Sequence, residues 1–210
     1  MAESPSIKTL SNFKSIMKGG GARPNIFEVT IPEFPSYVDK DGEMLKDLTF
    51  LCKGANLPAS NIASIDVPFR GRTLKVAGDR TFDPWTITVI NDEDFKIRHA
   101  MEMWMNGISK LSNNTGASNP NAYMQDAYVY QLGRGTTGQI ETVNSVPDAG
   151  PGRITTAKAN VLRAYRFYDI FPTSVSEIAL SYDTGDTIEE FTVELQVQFF
   201  EVFGGPGSLN

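Results

Sequence analysis

The residues that could do chemistry are few. His99 and Cys52 are the only histidine and the only cysteine, and they stand far apart in the chain. A nucleophile–base pair needs the two within hydrogen-bond reach, and no local signature here places them so. A single cysteine also excludes an intrachain disulfide and a cysteine-based zinc site. Three acidic groups, Asp92/Glu93/Asp94, Asp183/Asp186 and Glu189/Glu190, have the composition of a glycosidase pair or a metal site. The first is explained by a helix start, where the dipole favours acids, the second by a turn, and the third by the solvated start of a strand. Gly133-Arg134-Gly135-Thr136-Thr137-Gly138 matches GxGxxG in letters. A dinucleotide loop needs a helix at that point and an acid about 20 residues on. The next residues, from Gln139 on, are instead β-like and stopped by Pro147, and no acid lies between Pro151 and Ala164. Asn113-Asn114-Thr115 is a glycosylation sequon that carries meaning only on a secretory route. No catalytic, cofactor or metal site is expected, and the chain does not read as an enzyme.

Charge narrows the partners. Lysine and arginine number 19 against 25 acids, a net charge of −6. No basic cluster exceeds Arg70/Arg72/Lys75 and Arg163/Arg166, so a phosphate-gripping surface is not expected. The N-terminus holds no apolar run of signal-peptide length, and no later stretch approaches a membrane span. Ile7, Leu10, Phe13, Lys14 and Met17 fit one face of a short helix with Lys8 and Lys18 opposite, tied on by Gly19-Gly20-Gly21. Its length suits a docking arm better than a membrane anchor.

The elements that position these residues are mostly strands. Residues 77–108 read as a turn, a strand with Trp85, Ile87 and Val89 on one face, and the one strong amphipathic helix. Asn91 is the expected cap of that helix, about residues 91–107, whose stripe is Ile97, Ala100, Met101, Trp104 and Ile108. Gly107 stands where a left-handed stop is cheap. Trp85 and Trp104 are the expected core anchors. Strands are also expected at Asn25–Ile31, Leu48–Lys53, Asn61–Phe69, Thr73–Val76, Ala127–Leu132, Val161–Ile170 and Glu177–Tyr182, with Asp41-Gly42 as a hairpin turn. Phe191, Val193, Leu195, Val197 and Phe199 alternate with Thr192, Glu194, Gln196 and Gln198, the cleanest half-buried strand in the chain. Residues 133–158, rich in Gly, Thr and Pro, read as a loop insertion. Many short strands without regular strand–helix alternation predict a mainly β, antiparallel sandwich or barrel with one flanking helix. The organisation expected is a flexible arm over 1–21, one β domain over 22–203 and a flexible tail over 204–210.

Several segments in order carry a resemblance. Ala22-Arg23-Pro24-Asn25-Ile26-Phe27, Cys52-Lys53 through Leu57-Pro58-Ala59, and Val76-Ala77-Gly78-Asp79-Arg80-Thr81-Phe82-Asp83 with Trp85–Val89 are similar to the tail tube proteins of contractile-tailed bacteriophages. Phe171-Pro172-Thr173-Ser174-Val175, Ile178-Ala179-Leu180 and Phe191-Thr192-Val193 resemble that family's closing strands. The resemblance implies a structural virion protein without a cofactor, assembled in the host cytoplasm. Six copies would form a ring whose inner strands join into one barrel. Rings would stack into a tube inside a contractile sheath, meeting baseplate and tail-terminator proteins, and DNA would pass through the lumen without specific binding or a membrane partner. The tube of a phage-derived injection or secretion system is the near alternative. A carbohydrate-binding β-sandwich, with Tyr165, Phe167 and Tyr168 as its nearest aromatics, is the distant one. The polar face Thr192, Glu194, Gln196 and Gln198 is the expected lumen wall. Asp79, Arg80 and Asp83 are expected to fix a turn at a subunit contact by hydrogen bonds and ion pairing.

Overall fold

The computed structural model describes residues 9–17, 21–38, 43–134, 160–183 and 185–204. The expected insertion therefore lies almost wholly outside the described residues, as do Asp41-Gly42, the run Gln139–Val143 and the tail after Gly204. The elements in chain order are α1 (Leu10–Ile16), β1 (Phe27–Thr30), α2 (Glu43–Leu51), β2 (Cys52–Ala55), β3 (Ser60–Phe69), β4 (Arg72–Phe82), β5 (Trp85–Ile90), α3 (Lys96–Ile108), β6 (Gln125–Leu132), β7 (Val161–Val175), β8 (Glu190–Gln196) and β9 (Phe199–Phe203). A 3-10 turn at Pro120–Ala122 precedes β6.

The mainly β, antiparallel architecture is the one expected. Seven strands run in the order β1-β6-β7-β8-β5-β2, with β9 also on β7, and β3-β4 form a separate hairpin. Strand β7 is the hinge of the arrangement. Its first part, Ala164–Tyr168, pairs with β9, and its last part, Phe171–Val175, pairs with β8. Between them Asp169 has φ +52°, and its backbone N–H donates to the Asp126 carboxylate at 3.3 Å. This kink splits the strand expected over 191–199 in two. Phe191, Val193, Leu195 and Val197 are buried as the alternation requires. At the corner, the Gln198 N–H donates to the Tyr168 carbonyl. Phe199 then emerges on the solvent side, stacked on Tyr168 at 4.4 Å, because the corner shifts the parity of everything after it.

Helix α3 carries the predicted stripe. Ile97, Ala100, Met101 and Trp104 are buried, and the Trp104 indole N–H donates to the Tyr123 carbonyl at 2.7 Å. Its start differs from the expectation. Asn91 does not cap it. That side chain donates to Glu189 at 3.0 Å while its backbone N–H extends the β5–β8 ladder to the Glu189 carbonyl. The acids 92–94 form a turn ahead of the helix, Phe95 has φ +54°, and the Asp92 carboxylate accepts the Lys96 N–H. Gly107 lies inside the last turn rather than at a left-handed stop. It is glycine because a Cβ there would run into the ring of Tyr37, whose hydroxyl donates to the Trp104 carbonyl.

Two expected strands are not strands. Residues 43–51 are helical, and only Cys52–Ala55 is extended. Helix periodicity explains this: Leu48 and Leu51, three apart, turn inward while Phe50 is left outside. Glu177–Tyr182 is an irregular segment. Leu180 and Tyr182 project into solvent, and among the described residues no strand is there to pair with it. Both tryptophans are fully buried. Replacing Gly107 with alanine should overpack the Tyr37 seat and lower stability by about 1–3 kcal/mol, read as a lower denaturation midpoint at unchanged slope.

Candidate functional site

The β3–β4 hairpin leaves the body of the protein with nearly every residue exposed. Arg70 and Gly71, at φ +46° and +80°, make its two-residue turn between the paired Phe69 and Arg72. Such a turn wants positive φ at both central positions, because that twist matches the flanking strands. Pairing then sorts the side chains. Ile65 faces Val76, Val67 faces Leu74, and Phe69 ends the row on one side. Asp66 and Lys75 face each other on the opposite side, with the ammonium 3.1 Å from the carboxylate. One face is thus an apolar ladder and the other is charged. The apolar side chains are each 43–67% exposed, a contiguous patch of the sort monomers rarely leave uncovered.

The register shifts by one residue at Ala63. The extra residue is on β4, where Gly78 and Asp79 oppose Ala63, and a Cβ at Gly78 would crowd Ile65 and the Ala63 carbonyl. This accounts for the glycine in the stretch that carries the resemblance. Residues 78–82 are therefore strand and not the expected turn, with Ile62 opposite Arg80. Asp83 closes the base of the hairpin: its N–H donates to the Ala59 carbonyl and its carboxylate accepts from Asn61 at 3.0 Å. Asp79 and Arg80 do not join it. Their side chains are exposed, and neither is among the ion pairs of the described residues. Past the bulge Arg80 pairs with Ile62 on the side of Asp66 and Lys75, and Asp79 lies in the bulge itself.

A second surface is the outer side of the sheet β7-β8-β5-β2. Trp85, Ile87, Val89, Phe191, Val193 and Leu195 point to the core, which leaves Thr86, Thr88, Thr192 and Glu194 on the other side. Thr86 pairs with Glu194 and Thr88 with Thr192. Gln196 continues this face as a half-buried residue, whereas Gln198 sits at the corner beyond the strand. Lys53 reaches across from β2 to Glu190 at 2.5 Å. Among the described residues, β2 pairs only with β5, and the Phe171–Val175 end of β7 pairs only with β8. The polar face is therefore bounded by two open edges.

The residues first considered for chemistry have structural roles or none. His99 is exposed on α3. Burial pushes the Cys52 thiol up to about 11, against a weaker opposing hydrogen bond to the Gly54 carbonyl, so it carries little thiolate at neutral pH. Glu189 and Glu190 hold Asn91 and Lys53. Phe167 is buried in a stack on Trp85. Tyr168 lies between Arg166 and Phe199, and burial, then its hydrogen bond to Glu201, raises its hydroxyl to about 12. Tyr165 packs against Phe200. These rings form part of the packing, unlike a bare sugar-binding platform. No cluster among the described residues has the composition to hold a metal ion, and no helix among them is long and apolar enough to cross a membrane.

The family model for the phage tail tube protein matches residues 22–202. The chain belongs to the phage tail tube protein family. It is 31% identical over 188 residues to the tail tube protein gp19 of Enterobacteria phage T4, covering 90% of this chain and 96% of that one. The tail tube protein of Serratia phage KSP90 is 26% identical over 190 residues, covering 90% and 93% of the two chains. Among solved structures, a chain from the anti-feeding prophage tube-terminating cap shares the fold, with a TM-score of 0.55 at 15% identity over 97% of each chain. Arg80→Ala, which removes no ion pair among the described residues, should shift stability by less than about 0.5 kcal/mol while weakening association. Denaturation and sedimentation of the same variant check the two halves.

Proposed function

We propose that this protein is the repeating structural subunit of an inner tail tube that conducts DNA, assembled from six-membered rings stacked head to tail. The observation that carries the proposal is the apolar face of the hairpin. A two-stranded ribbon is at best marginally stable by itself, yet this one runs ten residues or more per strand with its apolar row in water. A second copy of the chain is the partner that covers it, with Asp79, Arg80 and Asp83 at the base of the contact. The number six and the stacking come from family resemblance. Open edges at β2 and at the end of β7 let the polar-faced sheet continue from one copy to the next, which removes the unpaired strand groups of both. A contact between unlike surfaces closes into a ring sideways and repeats without limit along the axis.

In this reading Thr192, Glu194 and Gln196 line the lumen together with Thr86 and Thr88. Each cation that grips a phosphate adds affinity and drag. Lys53, the one lysine on this face among the described residues, is already held by Glu190, so DNA meets an uncharged or acidic wall. Sheath, baseplate and tail-terminator proteins are the further partners, and the assembled virion tail is the location. The greater sequence identity to phage tubes than to the anti-feeding prophage chain favours the phage over an injection particle as the parent assembly.

Val67→Asp with Leu74→Asp should leave a folded monomer, since both positions are solvent-exposed, and abolish tubes in electron micrographs. Tubes of normal width in that variant would overturn the hairpin's role. Glu194→Lys should leave tubes intact and slow DNA ejection; unchanged ejection kinetics would remove Glu194 from the lumen wall.

A further inference from the structure

The family match begins at residue 22, and the N-terminal arm stands ahead of it. Thr9 accepts the Asn12 N–H and caps α1. No residue of the helix is buried, and Leu10, Phe13 and Met17 stand 69%, 57% and 44% exposed. These three fall on one side by helical spacing, with Lys14 beside them. A seven-residue helix is far below the length that holds in water by propensity, so it needs a surface to lie on. Residues 1–20 contain three lysines and one glutamate, net +2, so the remainder of a chain of net −6 carries −8. The complementary surface is therefore acidic and partly apolar.

One such surface stands at the junction of α2 and α3. The Lys96 ammonium lies 3.8 Å from the Asp47 carboxylate and 3.4 Å from that of Asp94, which brings the two acids together. Asp92 and Glu93 adjoin them in the same turn, so one lysine faces a surplus of negative charge. Phe50, one helical turn beyond Asp47, is 82% exposed, and Phe95 next to Asp94 is also out in solvent. Two bare phenyl rings among carboxylates match an arm of apolar residues and lysine.

We infer that α1 of one copy docks on the α2–α3 junction of a second copy. Leu10, Phe13 and Met17 cover Phe50 and Phe95, and Lys14 meets the acids 92–94. Among the described residues of one chain, both surfaces stay bare. Assembly supplies the second copy, since a tethered arm beside a neighbour sees its target at high effective concentration. The inference rests on the tube reading for that proximity. It makes the arm a clasp between subunits.

The test uses full-length protein, unlabelled and nitrogen-15-labelled in equal amounts, assembled and treated with a carbodiimide that joins lysine to carboxylate. Mass spectrometry should find mixed-isotope peptides linking Lys14 to Asp92, Glu93 or Asp94, reduced at least tenfold in Phe13→Asp and in Phe50→Ser. Links confined to one isotope, links from Lys14 to other carboxylates, or none would overturn the clasp. So would Phe13-dependent binding to anionic vesicles in place of the cross-link. Microscopy of the same samples separates the two proposals. Tubes without the cross-link sink the clasp alone, and the mixed cross-link without tubes keeps the clasp and sinks the tube reading.

Discussion

Trp85 and Phe167 stack at 4.7 Å in the centre of the core, both fully buried, and the rest of the subunit depends on that contact. Trp85 belongs to β5, in the polar-faced sheet, while Phe167 belongs to the part of β7 that pairs with β6 and β9. The stack thus ties together the two halves of a sheet that folds across β7. Burying two such rings stabilises by several kcal/mol. That outweighs the cost of leaving the Trp85 indole N–H without a protein partner. Phe200 meets Phe167 edge-on and carries the packing out to Phe82 at the base of the hairpin. The core and the projecting ribbon are therefore mechanically continuous.

From this core outward, the subunit divides into surfaces that are finished and surfaces that are not. Around Arg166 the outer sheet is finished. The guanidinium lies over Tyr168 at 4.3 Å and pairs with Asp126 at 2.7 Å, so aromatic faces and charges satisfy one another. The hairpin ladder, the edges of β2 and β7, and the apolar side of α1 are unfinished. Apolar area in water and unpaired strand groups both favour association. The two kinds of surface alternate around one chain, which suits a subunit that repeats in a fixed direction.

Much is legible without coordinates. Period-2 alternation in β5 and β8 and the stripe Ile97, Ala100, Met101 and Trp104 identify the core faces, because burial of apolar area is the main force driving folding and its period follows element geometry. The segment around Gly78-Asp79-Arg80 stands out as more than core packing requires. Its glycine reads as a turn because glycine marks turns more often than bulges. The hairpin ladder has a signal in Ile65/Val67 and Leu74/Val76. Alternation, however, reads the same whether the apolar side meets its own core or another copy.

The sequence by itself determined which residues turn inward along β5, β8 and α3, the absence of any nucleophile–base signature, and the family through its ordered segments. Tertiary structure decided where those elements stop. The kink at Asp169 divides β8 from β9 and reverses the facing of Phe199. Asn91 is drawn to Glu189 instead of capping α3, and Tyr37 fills the space that Gly107 leaves. Each depends on a partner distant in sequence, and local propensity differences below about 1 kcal/mol per residue yield to such contacts. The same reason separates core from contact surface. Hydrophobicity says that a face must be covered, and only the packed fold shows which faces this chain leaves for another.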